Sequence, residues 1–151
     1  MKRFFSIRRA ALAVALFAIV GPVIPLPAAQ ADPFHAHGTY VETGFNGSIA
    51  EGTLDGRAAP GGAFVGEFRE KVFDGGNELD GRATLDFGNG DTLTFNYLLI
   101  YDPQRGRYLG VWAIERGTGI LKGATGGGDI AVTPNSGQAH LFWLDGEISL
   151  Q

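Results

Sequence analysis

Glu70, Tyr97, Tyr101, Tyr108, Arg116 and His140 are the side chains of this sequence best suited to chemistry. Each falls on the same alternating register as a set of large apolar residues, so each is expected on one enclosed face. A carboxyl held among apolar groups has a raised pKa and can give or take a proton near neutral pH. Phenol hydroxyls can orient a ligand oxygen, and a guanidinium can neutralise a carboxylate or an enolate. Two assignments stay open. In the first, Glu70, Tyr97 and Tyr108 are catalytic, and Phe68, Phe95, Tyr97, Tyr101, Tyr108, Trp112, Arg116, His140 and Phe142 contact a ligand. In the second, Glu70 pairs with Arg116 or sits at a solvated strand end, and the tyrosines turn their hydroxyls out at the mouth of the fold.

Other chemistries find little support. His35-x-His37 is the one metal-like spacing, and His140 is a conceivable third ligand. His140, however, is expected near the far end of the first strand, and 35–37 reads as a loose, solvated N-terminal segment. No metal site is assigned and no cofactor is called for. Ser48, Ser136 and Ser149 lack a histidine partner and a Gly-x-Ser-x-Gly setting. Gly126-Gly127-Gly128 lacks the lysine of a phosphate loop and the strand–helix context of a dinucleotide site. Asp55, Asp80, Asp86 and Asp91 belong to outward or turn positions without a calcium-loop motif.

The elements that position these residues are strands. Leu79, Gly81, Ala83, Leu85 and Phe87 alternate with Asp80, Arg82, Thr84 and Asp86, the pattern of a half-buried β-strand. Strands are predicted at 39–47, 48–57, 63–73, 79–87, 91–101, 107–116, 129–133 and 138–150. Three turns can be tested against one another. A three-residue loop at Gly88-Asn89-Gly90 sets Leu85 beside Leu93 and Ala83 beside Phe95, with Gly90 in the left-handed position. A two-residue turn would mix the faces, since a slip of one residue turns every side chain over. By the same reasoning Tyr101 aligns with Tyr108, and Val72 with Leu79.

The inner face so defined holds Phe64, Phe68, Glu70, Leu85, Phe87, Phe95, Tyr97, Leu99, Trp112 and Ile114, with His140, Phe142, Leu144 and Ile148 from the last strand. Gly66, Gly81, Ala83 and Gly110 leave room on it. On the opposite face Leu98 falls near Val111 and Ile100 near Leu109, a contiguous apolar patch of the kind that marks an interface. Homo-oligomerisation, as a trimer, is one expectation; the other is that the N-terminal segment or the 117–128 connection covers the patch. The fold class is all-β: about eight antiparallel strands forming a closed or nearly closed up-and-down barrel.

The start of the chain is set apart from the fold. Lys2, Arg3, Arg8 and Arg9 precede an apolar run at 10–20, three prolines follow, and Ala29-Gln30-Ala31 fits a small-x-small cleavage site. Residues 1–31 read as a cleaved signal peptide and 32–151 as a single domain, exported to the periplasm or outside the cell. Removing the four leader cations leaves eight Lys and Arg against sixteen Asp and Glu. So acidic a chain repels phosphate backbones and anionic lipid, so neither nucleic acid nor membrane is an expected partner. With no cysteine, disulfides and thiolate chemistry are excluded.

Arg116-Gly117-Thr118-Gly119 and Gly123-Ala124-Thr125-Gly126, together with Asn89-Gly90-Asp91-Thr92-Leu93, carry a resemblance. Over 81–132 the chain resembles exported bacterial proteins of the allene oxide cyclase and dirigent barrel group, departing from the pattern where Arg116 replaces the first glycine of the expected pair. The resemblance implies an eight-stranded antiparallel barrel, often trimeric, whose lumen holds an apolar small molecule without a cofactor. No catalytic residue of the group can be matched to a position here. Three functions follow: an exported barrel binding an apolar small molecule in its lumen; a cofactor-free isomerase or cyclase using Glu70 with Tyr97 or Tyr108; or a structural oligomer with a filled barrel. The residues do not name a reaction.

Overall fold

The computed structural model describes residues 30–135, 137 and 139–150; residues 1–29 of the signal peptide expected at 1–31 lie outside them. Eight strands follow in order: β1 (Ala31–Phe45), β2 (Ile49–Ala59), β3 (Gly62–Phe73), β4 (Glu78–Asp86), β5 (Thr92–Asp102), β6 (Arg107–Gly117), β7 (Thr125–Pro134) and β8 (Ala139–Ser149). Each pairs antiparallel with its neighbours in sequence, and β1 pairs with β8 to close the barrel. Closure leaves no open sheet edge.

Alternation does the folding work. In β4 the residues Leu79, Gly81, Ala83 and Leu85 are buried while Asp80, Arg82 and Asp86 are exposed. The expected registers hold: Leu85 faces Leu93, Ala83 faces Phe95, Tyr101 faces Tyr108 and Val72 faces Leu79. Gly90 takes a φ of 84°, the left-handed conformation its loop demands, and the Asp91 N–H donates to the Gly88 carbonyl.

Three expectations are corrected. β1 starts at Ala31, eight residues ahead of the predicted 39, so His35 and His37 belong to a paired strand and not to a loose segment. Likewise β7 begins at Thr125, because its three glycines pair with β8 as extended strand. Most consequential is β6. Ile114 faces Phe95 and Arg116 faces Thr94, so Glu115 is the extra residue of a β-bulge. The bulge reverses the alternation beyond it, and Arg116 lies exposed on the outer surface with Arg82, Thr84 and Glu67. There it can neither pair with Glu70 nor touch a molecule inside the barrel.

The two ends differ. The end bounded by the β2–β3, β4–β5 and β6–β7 connections is apolar: Phe87 and Leu121 pack against a core that includes Phe34, Phe64, Leu93, Ala124 and Ile148. Thr118 ties the β6–β7 connection to the β4–β5 loop by donating to the Gly90 carbonyl at 2.6 Å, and Asp91 Oδ1 accepts from the Ile120 N–H at 2.9 Å. The polar inward residues gather at the other end, where the loops at 46–48, 74–77 and 103–106 lie.

Candidate functional site at the open end of the barrel

Glu70, Gly81 and Tyr97 occupy one row across three strands. Glu70 on β3 faces Gly81 on β4, which faces Tyr97 on β5. A methyl group at Gly81 would run into the Tyr97 ring and hydroxyl. The missing side chain is therefore what lets the phenol lie across β4 and reach β3. Its O–H donates to Glu70 Oε2 at 2.6 Å, both residues being more than nine-tenths buried. This corrects the expectation that Gly81 leaves space for a ligand: Tyr97 fills it.

The electrostatics follow from this burial. Loss of hydration raises the Glu70 carboxyl pKa; the Tyr97 hydrogen bond pulls it back down and the Glu42 charge pushes it further up. Tyr97 is raised by burial and then by Glu70. Tyr40, on β1, is raised for the same reasons in the same order, and its ring packs edge-on against Phe68 at 5.0 Å. The pair is a proton donor and acceptor held away from bulk water, able to bind a carbonyl or hydroxyl or to exchange a proton with it.

Around it stands a rim. Tyr108 donates its hydroxyl to the Gly76 carbonyl at 2.7 Å, and its ring lies tilted 5.1 Å from that of Tyr101. Burial raises the Tyr108 pKa, with Glu70 and Tyr101 adding to it. His140 lies 4.7 Å from the Tyr40 ring, its Nδ1 enclosed without a hydrogen-bond partner among the described residues. Burial lowers its pKa against the opposing charge of Glu42, so the imidazole is held toward its neutral form. Together Tyr40, Glu42, Phe45, Glu70, Val72, Leu79, Tyr108 and His140 line an open bowl of about 490 Å³.

Below the bowl, side chains occupy the middle of the barrel. Phe68 lies over Gly52 and Phe64 over Gly56, while Trp112 packs 5.5 Å from Phe34 and 5.7 Å from Phe95. Phe142 is 6.1 Å from Phe64. The void left among Leu54, Phe68, Phe95, Tyr97 and Phe142 is about 30 Å³, roughly the share of one water molecule. Of the expected contact set, Tyr97, Tyr108 and His140 thus come together with Glu70 at the open end, and Tyr101 flanks them. Phe68, Phe95, Trp112 and Phe142 form the packed interior beneath, and Arg116 is outside.

Tyr40 and Glu42 were missed by sequence reasoning. The signal was present in Phe34, Ala36, Gly38, Tyr40 and Glu42 at every second position, but it starts before the expected strand and stops at a bulge over Thr43. His35 and His37 project outward, and His35 Nδ1 meets Asp145 Oδ1 at 2.6 Å. His140 sits inside, opposite Tyr40 and five register positions from His35, so the three imidazoles do not converge.

No family model matches the chain, and no curated protein matches its sequence. Among solved structures, that of a pterocarpan synthase dirigent protein is similar, with a TM-score of 0.53 at 15% identity, over 91% of this chain and 100% of that one. At that identity the likeness concerns the fold alone: the chain is a dirigent-like, closed eight-stranded antiparallel β-barrel.

Proposed function

We propose that this protein is an exported barrel that binds a small, largely apolar molecule at its open end, its polar atom on the Glu70–Tyr97 pair. The observation that carries this reading is the 490 Å³ bowl lined by the buried Glu70 carboxyl, whose Oε2 accepts from the Tyr97 phenol of the interior. Ligand sites in proteins are apolar concavities of a few hundred Å³ with a few convergent polar groups. Val72, Leu79 and Phe45 supply the apolar wall, and the packed interior gives the floor its rigidity. Placing the molecule at the mouth departs from a ligand deep in the lumen, where the void is too small. Export rests on the leader pattern, and self-association on the outer patch of Leu98, Ile100, Leu109 and Val111.

A second reading uses the same pair as general acid and base in a cofactor-free isomerisation or cyclisation. What favours it is the raised pKa of Glu70, which brings a carboxyl nearer the working range of a proton carrier. It predicts a rate governed by one carboxyl titration and lost in Glu70→Gln.

Native mass spectrometry of residues 32–151, purified after export without detergent, tests the binding reading. Added mass that leaves on denaturation is expected, and the Leu79→Trp variant, with the bowl filled, should lack it. A chain that carries no added mass and takes up no apolar probe in solution would overturn the reading.

A further inference from the structure

The charges around the bowl select among molecules that could enter it. Among the described residues two carboxyl groups line it, Glu42 and Glu70, and no lysine or arginine does. Of the cations at that end of the barrel, Lys71 lies over the Phe73 ring at 4.6 Å and Arg105 holds Asp102 at 2.6 Å. Arg107, aligned with Asp102 across β5 and β6, has its Nε enclosed without a hydrogen-bond partner among the described residues and does not line the bowl. His140 is held toward neutral. Glu70 is 6% exposed, with Oε2 taken by Tyr97. Negative charge is therefore gathered in a half-enclosed, low-dielectric space and left unbalanced. Burial is the main cause that raises the pKa of Glu70, Tyr40 and Tyr108; Glu42 adds to the first, Glu70 and Glu42 to the second, and Glu70 to the third.

Aromatic rings complete the picture. Tyr40 and Tyr108 line the bowl together with Glu70, and Phe45, also lining it, is 55% exposed. Ring faces attract cations through their quadrupole, most strongly where water is partly excluded. A carboxylate with aromatic walls repels an anion and offers a neutral guest no charge contact. An ammonium group would relieve the charge that Glu42 and Glu70 impose on one another.

Resting on the open-end binding reading above, we propose that the occupant of the bowl is an organic cation, a small amine with an apolar body. Its ammonium sits between Glu70 and Glu42 against the Tyr40 and Tyr108 faces, and its apolar part lies toward Phe45.

Three probes of one shape decide the matter: 2-phenylethylamine, 2-phenylethanol and phenylacetate, titrated into residues 32–151 and followed by calorimetry and by NMR shifts of open-end residues. The amine is expected to bind about tenfold more tightly than the alcohol, the ratio a single partly desolvated charge contact supplies. The carboxylate should not bind. Added salt should weaken the amine alone, and Glu42→Gln should remove most of the amine's advantage over the alcohol. Equal binding of amine and alcohol would overturn the cation assignment and leave open-end binding in place. Preferred binding of phenylacetate would also overturn the assignment. Silence from all three would overturn both.

Discussion

Glu70 is the residue on which the chemistry turns, and its protonation is linked to folding. The folded chain raises its carboxyl pKa above the ordinary 4.5, chiefly by burial. Between that value and the folded one, the native state binds more protons than the unfolded state. Its contribution to stability therefore falls as pH rises through that window and is level above it. Glu70→Gln cannot ionise, so urea melts should show this variant gaining on the wild type as pH rises through the same range. His140 has the opposite sign: its pKa is lowered from 6.5, so its contribution grows as pH rises toward that value, in wild type and variant alike. A wild-type-to-variant difference that does not change with pH would refute a buried, ionising Glu70. Tyr97→Phe removes the hydrogen bond but keeps the ring, at an expected cost of about 1–3 kcal/mol. Gly81→Ala displaces the same ring, and its cost should overlap with that of Tyr97→Phe. The double variant should lose less than the sum of the two, as expected when both changes break one contact.

At the scale of elements, hairpin turns were legible because each was checked against a shared inner face. Leu85 beside Leu93 and Tyr101 beside Tyr108 follow from composition and loop length alone. What was not legible is the insertion of a single residue. Nothing in Ala113-Ile114-Glu115-Arg116 announces which residue bulges, because the choice depends on how β5 and β6 twist around a closed barrel. Glycine was equally ambiguous. As a gap in an inner face, Gly81 reads as space; only the position of Tyr97 shows that a neighbouring ring occupies it. The β6–β7 connection offers a direct test of what holds an element in place. It carries few buried side chains and relies on Asp91 and Thr118. Asp91→Ala should cost about 1–2 kcal/mol, the loss of a charge-assisted bond to a backbone N–H. Hydrogen exchange should show lower protection at 118–124, with the strands unaffected.

The molecule as a whole presents an outer surface that is acidic in sum and apolar in one region. Leu98, Ile100 and Val111 are 39, 56 and 58% exposed, and the β6–β7 connection does not cover them. The patch runs on through Leu109, paired with Ala131, which in turn faces Trp143 on β8. If this belt is where copies of the chain meet, Leu98→Asp with Val111→Asp should convert the species seen by light scattering to a monomer without lowering Tm by more than a few degrees. An unchanged mass would assign the belt to another role.

Seven of the strand pairings join neighbours in the chain, and the eighth joins β1 to β8, with Asp32 opposite Ile148. The barrel's last seam is therefore made from the two ends of the folded domain. Local hairpins can form as the polypeptide emerges, but the ring waits for its final strand, and pairing across so long a separation is the slow step in β proteins. Until then β1 and β7 are bare edges, open to pairing with another chain. The nascent protein is most vulnerable in the interval before β8 arrives.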